Sequence, residues 1–325
     1  MLEEMIARAN ICVDGYAKEL TEMADRIFDH PEIGPHEVFA SGLLTDWLEA
    51  HGFAVTRGVG GLETAFRAVW KNGEGGPNLG LLCEYDALPG MGHGCGHQMQ
   101  GPAILGAALA VQQAAGDRPF TLTVYGTPGE ENISGKYIMI RNGCTFEELD
   151  VALMMHGGPA TQTDIKCLAN AAWQLTYHGK AAHAALKPEA GRSSLDAMCL
   201  AFHGMECLRE HVTDDVRLHY NITDAGGTAA NVVPSLTRAQ VMVRANTVKA
   251  VKELMVRLEK IFQGAAMMTE TEAEIRLDKV LDNKIPNLRL NDLLMKHARR
   301  LQAPNCQPPR QRTGSTDFAN VMHRV

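Results

Sequence analysis

The chain has 325 residues, enough for two domains at about 100–200 residues each. It is 45% hydrophobic and 21% charged, an ordinary globular composition, and its formal net charge of -7, with no lysine–arginine block, argues against a nucleic acid partner, because phosphate binding needs a basic surface. No apolar run reaches the ~18 residues that span a bilayer, the N-terminus lacks the apolar stretch of a signal peptide, and the eight scattered cysteines form no dense disulfide framework, so a cytoplasmic location without membrane contact is expected.

Apolar spacing predicts a helix over residues 3–29, ended by the turn Pro31-Glu32-Ile33-Gly34, and a second over 37–51. Strand-like runs follow at 54–56, 64–70 and 79–83, then a small-residue helix at 99–115, a strand at 120–125, a helix at 135–142 and a strand at 151–155. This alternation predicts an α/β fold with a mostly parallel sheet and helices on both faces. The rhythm then changes to strand 171–178, helix 193–212, strands 217–223 and 237–245, helix 247–265 and strand 272–277. That βαββαβ order predicts an inserted ferredoxin-like domain over 168–278, leaving 1–167 and 279–325 to the first domain. A helix resumes after about 285, residues 303–312 read as a loop with three prolines, and a strand is expected after Asp317.

Four clusters can carry chemistry. His93-Gly94-Cys95-Gly96-His97 sets soft and borderline ligands among glycines, a pattern that suits a first-row metal such as zinc. Gly126-Thr127-Pro128-Gly129-Glu130-Glu131 follows a strand; adjacent carboxylates repel unless a cation or proton separates them, and one can bind metal while the other takes a proton. His156-Gly157-Gly158 follows the next strand, and His183 lies among small residues in the inserted domain. Each cluster alone has a plain structural explanation as a loop or a solvated helix end. Delivery of Cys/His, Glu/Glu and His by three consecutive strands is harder to explain by packing. A thiol hydrolase built on Cys95 is an alternative, weakened by the neighbouring glutamates, which would raise the thiol pKa.

Together, CEYDALPGMGHGCGH, GTPGEE, the HGG turn, GKAAHAA, GGTAANVVPS and Gly314-Ser315-Thr316-Asp317-Phe318 resemble the M20 metallopeptidase and amidohydrolase family, subfamily D. The first string is similar to the branch acting on aminobenzoyl-glutamate and basic dipeptides. The resemblance implies a di-metal aminopeptidase-like fold and two divalent ions, zinc or manganese. It implies Cys95, His97, Glu131 and His156 as ligands, Glu130 as general base and Asp86 as the acid orienting the metal site. His183 is then expected to act across a homodimer, with Asn231 and Arg244 holding the substrate, a small amide or dipeptide. The resemblance further implies a last histidine ligand beyond Val325, so the chain reads as truncated, and a catalytically inactive relative that binds metal or a partner is the alternative function.

Overall fold

The computed structural model describes residues 2–310 and 314–325. In α1 (Leu2–Phe28) the buried residues are Leu20, Met23 and Ile27, one stripe at helical spacing in its C-terminal part, while Ile11 is 71% exposed. The helix α2 (Val38–Ala50) begins where the Glu32 carboxylate accepts the amide hydrogens of Phe39 and Ala40 at 2.9 and 3.0 Å. That capping satisfies two donors the helix itself leaves free. Then come β1 (Ala54–Arg57), β2 (Phe66–Asn72), β3 (Asn78–Cys83), α3 (Gln100–Ala114), β4 (Phe120–Gly126), α4 (Gly135–Arg141) and β5 (Val151–Met154).

These five strands form one sheet in the order β1-β2-β4-β3-β5. β3, β4 and β5 run parallel, whereas β1 and β2 pair antiparallel and β2 pairs antiparallel with β4. The sheet is therefore mixed, and the parallel expectation holds for the three strands that carry the motifs. The short connection between β1 and β2 is a hairpin, and a parallel crossover would need a dozen or more residues. Leu81, Cys83, Leu122 and Val124 share a buried cluster with α1, α2 and α3 residues, and Leu82 and Tyr125 share another with Met139 and Val321. Alternate residues of the central strands thus serve opposite faces, which is why β3 and β4 read as almost continuous apolar runs. Fully burying one such leucine contributes about 1.5–3 kcal/mol.

The βαββαβ order is present as β6 (Ala169–His178), α5 (Ser194–Arg209), β7 (Arg217–Asp224), β8 (Leu236–Ala245), α6 (Val248–Thr269) and β9 (Glu272–Leu281). The four strands form an antiparallel sheet, β7-β8-β6-β9. Ser193 and Thr247 cap the two helices, accepting from the amides of Asp196 and Ala250. Trp173, Leu175, Tyr177, Val241 and Val243 pack with Met198, Met205, Leu258 and Phe262, and the Tyr177 hydroxyl donates to the Phe262 carbonyl at 2.8 Å. The last helices are α7 (Leu288–Arg300) and α8 (Phe318–Met322). The segment after Asp317, expected as a strand, is therefore helical, with Ala319, Asn320 and Val321 buried.

The chain divides into two compact units, residues 2–165, 285–310 and 316–325, and residues 166–284 with 314 and 315. The second is wider than the expected 168–278 because β9 continues to Leu281. In the expected 303–312 loop, Thr161 bridges to Cys306 and Asp164 to Arg310; residues 311 and 312 lie outside the described residues. No helix among the described residues is long and apolar enough to cross a membrane.

Candidate metal centre

Because β3, β4 and β5 are parallel, the segments that leave them emerge at one edge of the sheet. Glu84, Tyr85 and Asp86 follow β3, Thr127 to Glu131 follow β4, and His156 follows β5. Two of these segments are tied together by Thr127, whose amide and hydroxyl both donate to the Cys83 carbonyl, at 2.9 and 3.0 Å. At the turn before the glutamates, the Gly129 amide donates to Glu37 Oε1 at 2.7 Å. Gly129 has φ +66°, and a Cβ there would lie 2.5 Å from Ile133 Cγ1, so glycine is required on both counts.

Glu37 is a buried acid that sequence reading did not single out. Its other oxygen accepts from the Thr64 hydroxyl at 3.0 Å. Burial, reinforced by the charge of Asp86, raises its pKa to about 7 against the opposing pull of its hydrogen bonds.

Asp86 uses both carboxylate oxygens. Oδ1 lies 2.8 Å from His97 Nδ1, and Oδ2 accepts the Glu131 amide at 3.0 Å. A carboxylate only accepts, so His97 Nδ1 carries the proton and Nε2 faces the site. His156 is set in the same sense, with Nδ1 2.7 Å from the Gly157 carbonyl. The two Nε2 atoms then face each other at 3.3 Å. Two acceptor nitrogens at that distance need a proton or another cation between them. Glu84 Oε2 at 3.3 Å and Glu131 Oε1 at 3.7 Å from His97 Nε2 add negative charge to the same spot. Burial alone would lower the His97 pKa, but the Asp86 bond and the charges of Glu84, Asp86 and Glu131 together raise it to about 9. Imidazole nitrogens with carboxylate oxygens are a donor set suited to zinc or manganese, and ligand atoms of Glu84, His97 and His156, and of His97, Glu130 and Glu131, lie within 4.8 Å of one another.

Glu130 lies beside a second buried network. Lys136, fully buried in α4, donates to Glu84 at 2.5 Å and to Asp317 at 2.7 Å. Burial, together with the charges of Asp317, Glu84 and Glu131, raises the Glu130 pKa to about 8 against the opposing charge of Lys136. The Cys95 thiol is pushed up to about 12 by burial and by its hydrogen bond to Glu131. It lies beside Glu131, yet among the described residues it joins none of the groups of three ligand atoms within 4.8 Å. Burial and the Glu131 bond both disfavour the free thiolate that a thiol hydrolase built on Cys95 would need.

The first unit thus brings together His97, His156, Glu130, Glu131 and Asp86, with Cys95 at the margin. Glu84, Gln100, Lys136, Asp317 and Glu37 join them without a role assigned from sequence. The available signal for Glu84 was its place two residues before Asp86, directly after an apolar strand. In the second unit, His183 and Asn231 are neighbours: His183 bridges to Val232, and the Ala184 amide donates to the Asn231 carbonyl at 2.9 Å. His183 Nδ1 accepts from the amides of Ala185 and Leu186, both at 3.3 Å, which leaves Nε2 as the outward atom. Arg244 lies elsewhere in that unit, on β8 opposite Asn170 and Arg217.

Residues 169–267 match the family model of a peptidase dimerisation domain, designated M20. The chain is 37% identical to one of the subunits of p-aminobenzoyl-glutamate hydrolase from Escherichia coli (strain K12), over 90% of its own length and 64% of that protein's. It is 34% identical to the Xaa-Arg dipeptidase of Mus musculus, over 98% of its own length and 78% of that protein's. The chain therefore spans somewhat under two thirds of the first relative. Its fold matches the crystal structure of a Bacillus subtilis protein described as a dinuclear metal binding peptidase, with a TM-score of 0.70 at 20% identity, over 96% of this chain and 87% of that one. Similarity that runs through both units to relatives of this kind, with a dimerisation-domain match from β6 through most of α6, places the chain in the M20 peptidase family.

Proposed function

We propose that the chain is a metal-dependent amidohydrolase that cuts an amide bond in an N-acyl amino acid, an aminobenzoyl-glutamate-like compound or a dipeptide. The observation that carries the reading is the pair of facing nitrogens of His97 and His156, with Glu130 and Glu131 beside them. His97, His156, Glu131 and Cys95 would hold two divalent ions, zinc or manganese, with Asp86 orienting His97 and the Glu131 backbone. When bound, such ions supply Lewis acidity, stabilising negative charge on oxygen and making water a better acid.

Glu130 then acts as the general base. Its raised proton affinity suits it to take a proton from water and to return it to the leaving amine. Burial keeps bulk water from competing for that proton. His183, with Nε2 turned outward, is assigned to the developing oxyanion in the partner of a homodimer, and Asn231 and Arg244 to the substrate. Eight cysteines without disulfides fit a cytoplasmic location.

The test loads the chain with zinc or manganese and assays p-aminobenzoyl-glutamate and a panel of dipeptides. Glu130→Gln should keep its metal and lose about 10²–10⁴ in turnover, because an amide cannot take the proton. A Glu130→Gln variant with wild-type metal content and wild-type turnover refutes the assignment.

A further inference from the structure

The proton transfer assigned to Glu130 gives Lys136 no role, yet the lysine is fully buried among acids. It is 0% exposed, and its ammonium donates to Glu84 Oε1 and Asp317 Oδ1, while its own backbone amide donates to Asp317 Oδ2 at 2.9 Å. Carboxylate oxygens of Glu84, Glu130 and Asp317 lie within 4.8 Å of one another, close enough to share a divalent ion. Glu84 belongs to two such groups, because its other oxygen accepts from Gln100 at 2.8 Å and lies 3.3 Å from His97 Nε2. An ion drawn among the three acids would therefore compete for the carboxylate that borders His97. A lysine ammonium is compact, carries one positive charge and offers three donors, so it neutralises acids without needing coordination geometry.

We propose that Lys136 is a positioning residue that fills the Glu84–Glu130–Asp317 cluster as a built-in cation, confining divalent ions to the His97–His156 side and fixing Glu84 against His97. This rests on the metal-centre reading above. It accounts for two features at once. An acid from the distant segment at Asp317 is drawn into the sheet edge, and Glu84 is held by a donor on each oxygen, Lys136 on one and Gln100 on the other.

The experiment titrates manganese or zinc into metal-stripped protein and counts bound ions by elemental analysis, for the wild type, Lys136→Met and Lys136→Met/Asp317→Asn. Lys136→Met should bind one more ion per chain than the wild type, because the emptied cluster keeps three acids. The double variant should return to the wild-type number. A purely structural ion pair would give no added ion, and an unchanged count in Lys136→Met overturns the proposal. Should that variant unfold when stripped, the same samples are refolded with and without the ion and followed by circular dichroism. Recovery that needs one ion more per chain than the wild type binds supports the proposal, and recovery with the wild-type number, or none, overturns it. A wild-type chain that takes up no ion overturns the metal-centre reading itself. Uptake by the wild type with an unchanged Lys136→Met overturns only the role of Lys136.

Discussion

At neutral pH, Glu37→Gln should make the metal-stripped chain more stable than the wild type. Glu37 is fully buried, and its carboxyl is displaced from an ordinary 4.5 to about 7. A folded-state pKa above the unfolded one means the folded chain prefers the protonated acid. The stability it contributes is complete below about pH 4.5 and is lost as pH rises through about 7. At 1.36 kcal/mol per pH unit the full loss is about 3 kcal/mol, most of it between pH 5 and pH 8. Glutamine does not titrate, and its amide oxygen can still accept from Gly129, while the Thr64 hydroxyl can turn to the Pro35 carbonyl, 3.3 Å away. Urea unfolding of both proteins in chelator at pH 5, 6, 7 and 8 isolates Glu37 and the neighbours coupled to it, because titrations independent of Glu37 cancel in the difference. The gap in favour of the variant should open by about 2–3 kcal/mol across that range. A gap of the same size at pH 5 and pH 8 refutes the reasoning.

Two further outcomes follow from the site. Asp86→Ala removes the acceptor for His97 Nδ1 and the anchor of the Glu131 amide, so metal affinity should fall about 10–100-fold by competition with a chelator; unchanged affinity would remove Asp86 from the site. Mixing Glu130→Gln with His183→Ala protomers should restore activity if His183 acts across a homodimer, to about a quarter of wild type after random exchange, since half the dimers are mixed and each has one intact site; confirmed exchange with no recovery would place His183 elsewhere.

The parts of the site that were legible in the sequence are those written locally. Cys95 and His97 among glycines, the Glu130-Glu131 pair and His156 each follow a strand, and strand ends can be found from apolar runs. The mixed character of the sheet was less legible, because pairing of β2 with β4 depends on neighbours distant in sequence. Lys136 was invisible for a similar reason. In GKYIMIR it reads as an ordinary helix lysine, and only the carboxylates of Glu84 and Asp317, both distant in sequence, give it a reason to be buried. Glu37 reads as a helix-start acid, a role that the structure gives to Glu32, leaving Glu37 free to turn inward to Gly129.

The parallel run of β5, β3 and β4 also orders events in time. His97 and His156 are 59 residues apart, and Asp317 comes 181 residues after Lys136. During synthesis the Cys95–His97 loop therefore exists well before the residues that complete its surroundings. Sheet closure, which carries the entropic cost of long loops, is what brings them together. If the proposed ligands hold metal, a nascent chain offers a passing ion only part of that set, and full affinity would arrive with the native sheet. Metal loading would then act as a late check on assembly, reporting that strands made far apart have found their places.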